Sequence, residues 1–210
     1  MMKTDELIAQ LASRAAPVRP LPSPAVRALA WSAAAALSAV AGIVIFGPRP
    51  DLDHMLSQPQ FMWPLVAAMV TAAVAAGASL LLAIPGSESS PVLRGASVTM
   101  GALWLLMLAV FVARAGNGFA GISHWPICFI RVIAIGIAPA VVLFRMLRRA
   151  APLRLTWTSA LAAAAAMAAG AIAVQIVCPV DDAAHALLGH FGPVLVVAIL
   201  GAATARRMFR

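Results

Sequence analysis

Charge is scarce in this chain: Asp, Glu, Lys and Arg make up 10% of its 210 residues, where a soluble domain averages about 25%. There are two cysteines, and neither a CxxC nor an HxxxH spacing occurs, so spacing alone defines no metal site. No nucleophile–base constellation, phosphate loop or carboxylate pair is visible, and the chain reads as a non-enzyme. No repeat of fixed period appears, which weighs against a transporter built on inverted repeats. The arginines flank apolar runs without a basic face or interleaved aromatics. A net charge of +8 therefore does not indicate nucleic acid as a partner.

What fills the sequence instead is apolar. Hydrophobic residues are 63% of the chain, and six runs are each about long enough to cross a bilayer as a helix: Val26–Phe46, Met62–Ile84, Val92–Ala113, Ile127–Leu147, Thr156–Val177 and Ala183–Ala205. A helix rises about 1.5 Å per residue, so roughly 20 residues cover a hydrocarbon core about 30 Å thick. Runs of this length without period-two alternation choose helices over a barrel. The first run exceeds a signal-peptide core of about 7–15 residues and reads as a retained helix. The expected fold is all-α, a polytopic membrane protein with a bundle of six transmembrane helices. Residues 1–25 form a tail and 26–210 the transmembrane domain.

The positive charge orients the bundle. Twelve of the fifteen basic residues fall in the tail, after the second and fourth runs, or at the end of the chain. Only Arg49 and Arg114 lie on the opposite side, and Arg131 is inside the fourth run. The positive-inside rule puts both termini in the cytoplasm.

Both cysteines then face outward. Cys128 opens the fourth run and Cys178 closes the fifth, and His54, His124, His185 and His190 fall toward the same side. Asp181 and Asp182 adjoin Cys178, and on a helix Asp181 and His185 would share a face. Cys, His and Asp are ligand types for zinc and similar ions, which makes Cys128, Cys178, His124, Asp181 and His185 candidate metal ligands. The thiols equally suit a disulfide in an oxidising compartment, and a third reading makes them small apolar residues beside solvated histidines. Arg131, three residues after Cys128, either favours its thiolate or extends to the interface. His190, two turns into the last run, reads as a hydrogen-bonded structural histidine.

The tail carries its own signal. Thr4 is a candidate N-cap, Asp5 and Glu6 suit the positive end of a helix dipole, and Leu7, Ile8 and Leu11 form one apolar stripe. A connector with Pro17, Pro20, Pro22 and Pro24 follows. Such a helix on a spacer docks into a groove of a soluble partner or lies on the membrane surface.

Taken together, Met2–Ala12 (MKTDELIAQLA) with Pro17–Leu21, Cys128–Arg149 (CFIRVIAIGIAPAVVLFRMLRR) and Cys178–Asp182 (CPVDD) with HALLGH resemble the NrsF family of six-span membrane anti-sigma factors. The resemblance implies a multi-pass protein of the bacterial inner membrane that sequesters an extracytoplasmic-function sigma factor at its cytoplasmic face. By resemblance, Cys128 and Cys178 are the outer thiols that sense heavy metal or oxidant. On the residues' own placement, Arg131 would tune them, while Asp5, Glu6, Leu7, Ile8 and Leu11, with the inner loop Arg145–Arg154, would contact the sigma factor. No obligatory cofactor is implied, only a transient metal ion at Cys128 and Cys178. The rival readings are a small transporter or channel, which would need more polar residues at mid-membrane than Arg131 and His190, and a membrane thiol oxidoreductase, which would need a relay pair or a quinone.

Overall fold

The structure is a computed structural model and describes residues 4–14, 20–87, 90–115 and 124–209. Lys3, Pro17, Arg19, Arg210 and residues 116–123 lie outside the described residues. Every regular element among those described is helical. They are α1 (Thr4–Ser13), α2 (Pro24–Phe46), the single turn α3 (Leu52–Met55), α4 (Pro59–Leu82), α5 (Pro91–Ala115), α6 (Trp125–Arg148), α7 (Leu155–Val177), the short α8 (Ala183–His185), a π-helical segment Ala186–Phe191, and α9 (Gly192–Met208).

Helix starts follow local chemistry. Pro occupies the first turn of α2, α4 and α6, where no backbone N–H is required. Ser23 caps α2 by accepting from Val26 N–H at 3.4 Å. Gly47, with φ +77, ends the same helix, a backbone conformation that glycine reaches without strain. Each apolar run of the sequence coincides with a helix to within three residues at either end. Five helices among the described residues are long and apolar enough to cross a membrane: α2, α4, α6, α7 and the continuous Ala183–Met208. The third run is the 25-residue α5.

The bundle is built around α7, which packs against α2, α4, α6, α9 and the π segment. Its alanines make that possible: Ala162, Ala163, Ala165, Ala166, Ala168 and Ala169 are all buried. Small side chains let helix backbones approach where no hydrophobic drive separates helix from lipid. At Gly170 the approach is backbone to backbone, and a Cβ there would run into the Val132 carbonyl of α6. Large apolar residues point outward instead, among them Leu29, Leu37, Val44, Ile45, Ile130, Ile199 and Leu200. That inverts the pattern of a water-soluble surface.

Pro139 sits inside α6 and supplies no N–H to the carbonyl four residues earlier, Ile135. Ser38 of α2 fills the gap, donating its hydroxyl to Ile135 O at 2.7 Å. One turn away, the buried Trp31 indole donates to Pro139 O at 3.0 Å. These two bonds fasten α2 to α6.

The two ends of the bundle are distinct. Arg27, near the start of α2, donates to Met146 O at 2.7 Å, and the rings of Phe144 and Phe209 lie 6.4 Å apart. The start of α2 and the ends of α6 and α9 therefore share one end. The end of α2, the start of α6 and the turn from α7 into α8 meet at the other.

Candidate functional site

At that second end four buried side chains converge. Cys128, one turn into α6, points its sulfur at Cys178, the residue that closes α7, with Sγ–Sγ 3.5 Å. Cys178 Sγ lies 3.3 Å from His185 Nε2. The His185 and His190 rings stand edge to face, 5.4 Å between centroids. One ligand atom from each of Cys128, Cys178, His185 and His190 lies within 4.8 Å of every other.

The π segment explains how both histidines reach one place. Residues five apart on an α-helix diverge by about 140°, because each residue turns about 100°. A π turn bonds i to i+5 and stacks those positions instead. Here Gly192 N–H bonds to Leu187 O, five residues back. Asp182 fixes the start of the turn by accepting from His185 N–H at 2.8 Å. Gly189 lets the segment lie against α6, since a Cβ there would sit 3.2 Å from Cys128 Cβ and from Trp125 O. The spacing of five concealed His190 in the sequence, and only the widened turn brings it to the sulfurs.

His190 is oriented from α7. Its Nδ1 lies 2.8 Å from Gln175 Oε1, so Nδ1–H donates and Nε2 holds the lone pair. That Nε2 is buried and has no hydrogen-bond partner. The Cys128 thiol donates to Cys178 and holds the Cys178 thiol well below the ordinary range. Burial opposes this lowering.

A second constellation lies beside the first. Arg49, only 3% exposed, donates Nε to Asp51 Oδ1 at 2.7 Å and Nη1 to Asp181 Oδ1 at 2.8 Å. Its Nη2 reaches the second oxygen of each carboxylate, at 3.0 and 2.8 Å. The guanidinium lies 5.5 Å from the Phe61 ring centroid, and Arg49 N–H bonds to Ile176 O at 3.0 Å. Asp181, followed by Asp51, holds the Arg49 guanidinium above its ordinary range, and the Arg49 bond holds Asp51 below its own.

The residues singled out in the sequence thus separate. Cys128, Cys178 and His185 come together, and His190 joins them. Asp181 precedes α8 rather than sharing a helical face with His185, and its carboxylate is engaged by Arg49. His124 stands exposed just before α6, and His54 is exposed beside Gln58. Arg131 turns to the Phe46 ring, 4.7 Å from its centroid. At the other end of the chain, α1 begins at Thr4, has Asp5 and Glu6 in its first turn, and exposes Leu7, Ile8 and Leu11. Gln175 and Arg49 were passed over in the sequence: one looked like an isolated polar residue in an Ala-rich helix, the other like a loop charge.

The sequence pattern of NrsF, described as negative regulator of sigma F, matches residues 11–210. The chain belongs to the NrsF family. No curated protein and no solved structure matches it. The matched range takes in the whole buried cluster, the Arg49 ion pairs and the last residues of α1. The NrsF name makes a sigma factor the partner and negative regulation the activity. Its apolar helices are those of a multi-pass membrane protein. Within this NrsF member, two thiols and two imidazoles offer the soft and borderline donors that zinc-like ions prefer, and the same thiols are close enough to be linked by an oxidant.

Proposed function

We propose that this NrsF protein holds an extracytoplasmic-function sigma factor at the cytoplasmic face of the bacterial inner membrane and releases it when Cys128 and Cys178 take up a heavy-metal ion or are oxidised on the outer side. In this reading α5 is the third of six spans, both termini are cytoplasmic, and the protein acts without turnover. The tail helix α1, through Leu7, Ile8 and Leu11 with Asp5 and Glu6 in its first turn, contacts the sigma factor together with the Arg145–Arg154 loop.

The observation that carries the reading is the 3.5 Å separation of two thiols borne by different helices. Cys128 belongs to the start of α6 and Cys178 to the end of α7, and the far ends of those helices carry Arg145–Arg154. An ion between the sulfurs, or a disulfide formed with a two-electron oxidant such as a peroxide, changes the spacing at one end of both helices. The disulfide forms as two thiols lose two protons and two electrons, and the peroxide is reduced. Moving an equilibrium from 1:99 to 99:1 needs about 5.5 kcal/mol of differential binding. Metal–thiolate sites supply apparent free energies of about 10–16 kcal/mol.

In this reading the signal reaches the tail through Arg49. Its contacts with Asp181 and Ile176 tie the turn holding Cys178 to the end of α2. The other end of α2 leads to α1. The test is a strain carrying Cys128→Ser with Cys178→Ser and a reporter of the cognate sigma factor. Repression should persist, and induction by cadmium or peroxide should disappear. Normal induction in the double variant would refute the sensing step.

A further inference from the structure

Two thiols suffice for a disulfide, yet this cluster is furnished with more than a disulfide uses. His190 is the informative member. It is 2% exposed, its Nδ1 is committed to Gln175, and its Nε2 is left with a lone pair and no donor. A buried polar atom without a partner is costly, and a ligand that completes its bonding removes that cost. His190 Nε2 is also the nitrogen that remains for the sulfurs and for His185.

The dimensions favour four-coordination. Ligand bonds of about 2.3 Å to sulfur give a tetrahedral sulfur–sulfur edge of roughly 3.8 Å, and bonds of about 2.0–2.1 Å to nitrogen give shorter edges. The thiols are 3.5 Å apart and Cys178 Sγ is 3.3 Å from His185 Nε2, so small side-chain shifts suffice. Metal-bound histidines characteristically donate their other N–H to a carboxylate, carbonyl or water, which fixes tautomer and ring orientation. The carboxamide oxygen of Gln175 takes that part here.

A cavity adjoins Gln175, though none of the four ligand residues lines it. It measures about 300 Å³ and is lined by Gln60, Gln175, Asp181, Asp182 and Ala183. It brings two acidic residues of the outer end to the side chain that orients His190.

We infer that Cys128, Cys178, His185 and His190 form a four-ligand S2N2 site for a tetrahedral divalent ion of the zinc and cadmium class, with Gln175 as the residue that positions His190. The inference rests on the sensing reading only for its regulatory meaning, since the site itself requires no sigma factor. It separates the two stimuli: the histidines and Gln175 serve the metal, and the oxidant needs only the thiols.

The test is titration of the reduced, detergent-solubilised full chain with Co(II), displaced by Cd(II). One ion per chain should bind, with the intense d–d bands of tetrahedral cobalt and sulfur charge-transfer absorption. His190→Ala should lower affinity at least about tenfold and weaken the tetrahedral bands, and Gln175→Leu should lower it about 10–100-fold. Gln175→Glu, which still accepts from Nδ1–H, should retain binding, and His124→Ala should change nothing. The paired variant Gln175→Leu with His190→Leu removes both partners of a buried bond. It should match the metal-free wild type in thermal unfolding while losing the ion, an outcome that a structural role for His190 does not give. Absence of stoichiometric binding by the wild type, or a His190→Ala spectrum and affinity equal to wild type, would overturn the site. If the ion binds as described but the sigma reporter ignores it, the ligand set stands and the sensing reading fails.

Discussion

Arg49 meets Asp181 across 132 residues of sequence through two bonds of 2.8 Å, joining the turn after α2 to the turn after α7. The guanidinium is buried and its carboxylate partners are about half exposed. Arg49→Met should cost about 2–3 kcal/mol, because each hydrogen bond to a charged group is worth about 1.5–3 kcal/mol before hydration of the freed carboxylates is discounted. Asp181→Asn should cost less, since Arg49 keeps Asp51. Thermal unfolding in detergent reads both. If Arg49 also transmits the outer event to α2, Arg49→Met should blunt sigma release while Cys128 and Cys178 still bind Cd(II) stoichiometrically.

The pH dependence of that ion pair has a definite sign. The Arg49 bond holds the Asp51 carboxyl below its ordinary value of 3.8. A carboxyl depressed in the folded state stabilises it above the ordinary value, and this contribution is lost as pH falls through the lowered one. Arg49 is raised, so its contribution vanishes only in strong alkali. Hydrogen exchange over residues 47–58 should therefore be equally protected at about pH 7 and about pH 5, and opening should begin only below 3.8. Loss of protection between pH 7 and 5 would show that the ion pair does not hold this turn.

Ser38 and Ile135 give a prediction in the apolar interior. Ser38→Ala leaves the Ile135 carbonyl without a donor and should cost about 1 kcal/mol, within the range for polar contacts in membranes. Pro139→Ala supplies the missing N–H. In the Pro139→Ala background the same serine change should cost about half as much or less, a coupling that a double-mutant cycle in unfolding measures directly.

The tail offers the corresponding test at the other face. Leu7, Ile8 and Leu11 are exposed along α1. Burying an apolar side chain of this size in a partner is worth about 1.5–3 kcal/mol. Ile8→Asp or Leu11→Asp should each weaken sigma retention by about tenfold or more, read as rising reporter activity without inducer. Gln10→Ala, away from the stripe, should leave repression unchanged.

Much of the fold could be read from the chain because lipid imposes one demand, length of apolar run, and Val26–Phe46 or Thr156–Val177 satisfy it without ambiguity. Helices α2, α4 and α5 begin up to three residues before the apolar runs, at prolines whose helix-starting role the runs did not register. The convergence of Cys128, Cys178 and His185 was also readable, since alternation of helices puts all three at one end of the bundle. What could not be read was angular. His190 joins the sulfurs only because Ala186–Phe191 winds as a π turn, and no residue in ALLGHF announces that winding. Asp181 looked like a ligand by proximity to Cys178, but a buried guanidinium from 132 residues away competes for it. The direction of Arg131 is set by Phe46 on a neighbouring helix. Contacts between distant helices decide such matters, and a single sequence does not encode them locally.

The most direct measurement is co-purification of the sigma factor with the full chain in detergent, with and without one equivalent of Cd(II). The account predicts that the sigma factor stays bound without the ion, leaves when it is added, and stays bound in both conditions to the Cys128→Ser, Cys178→Ser variant. A wild-type complex that keeps its sigma factor after Cd(II) has filled the site would contradict it.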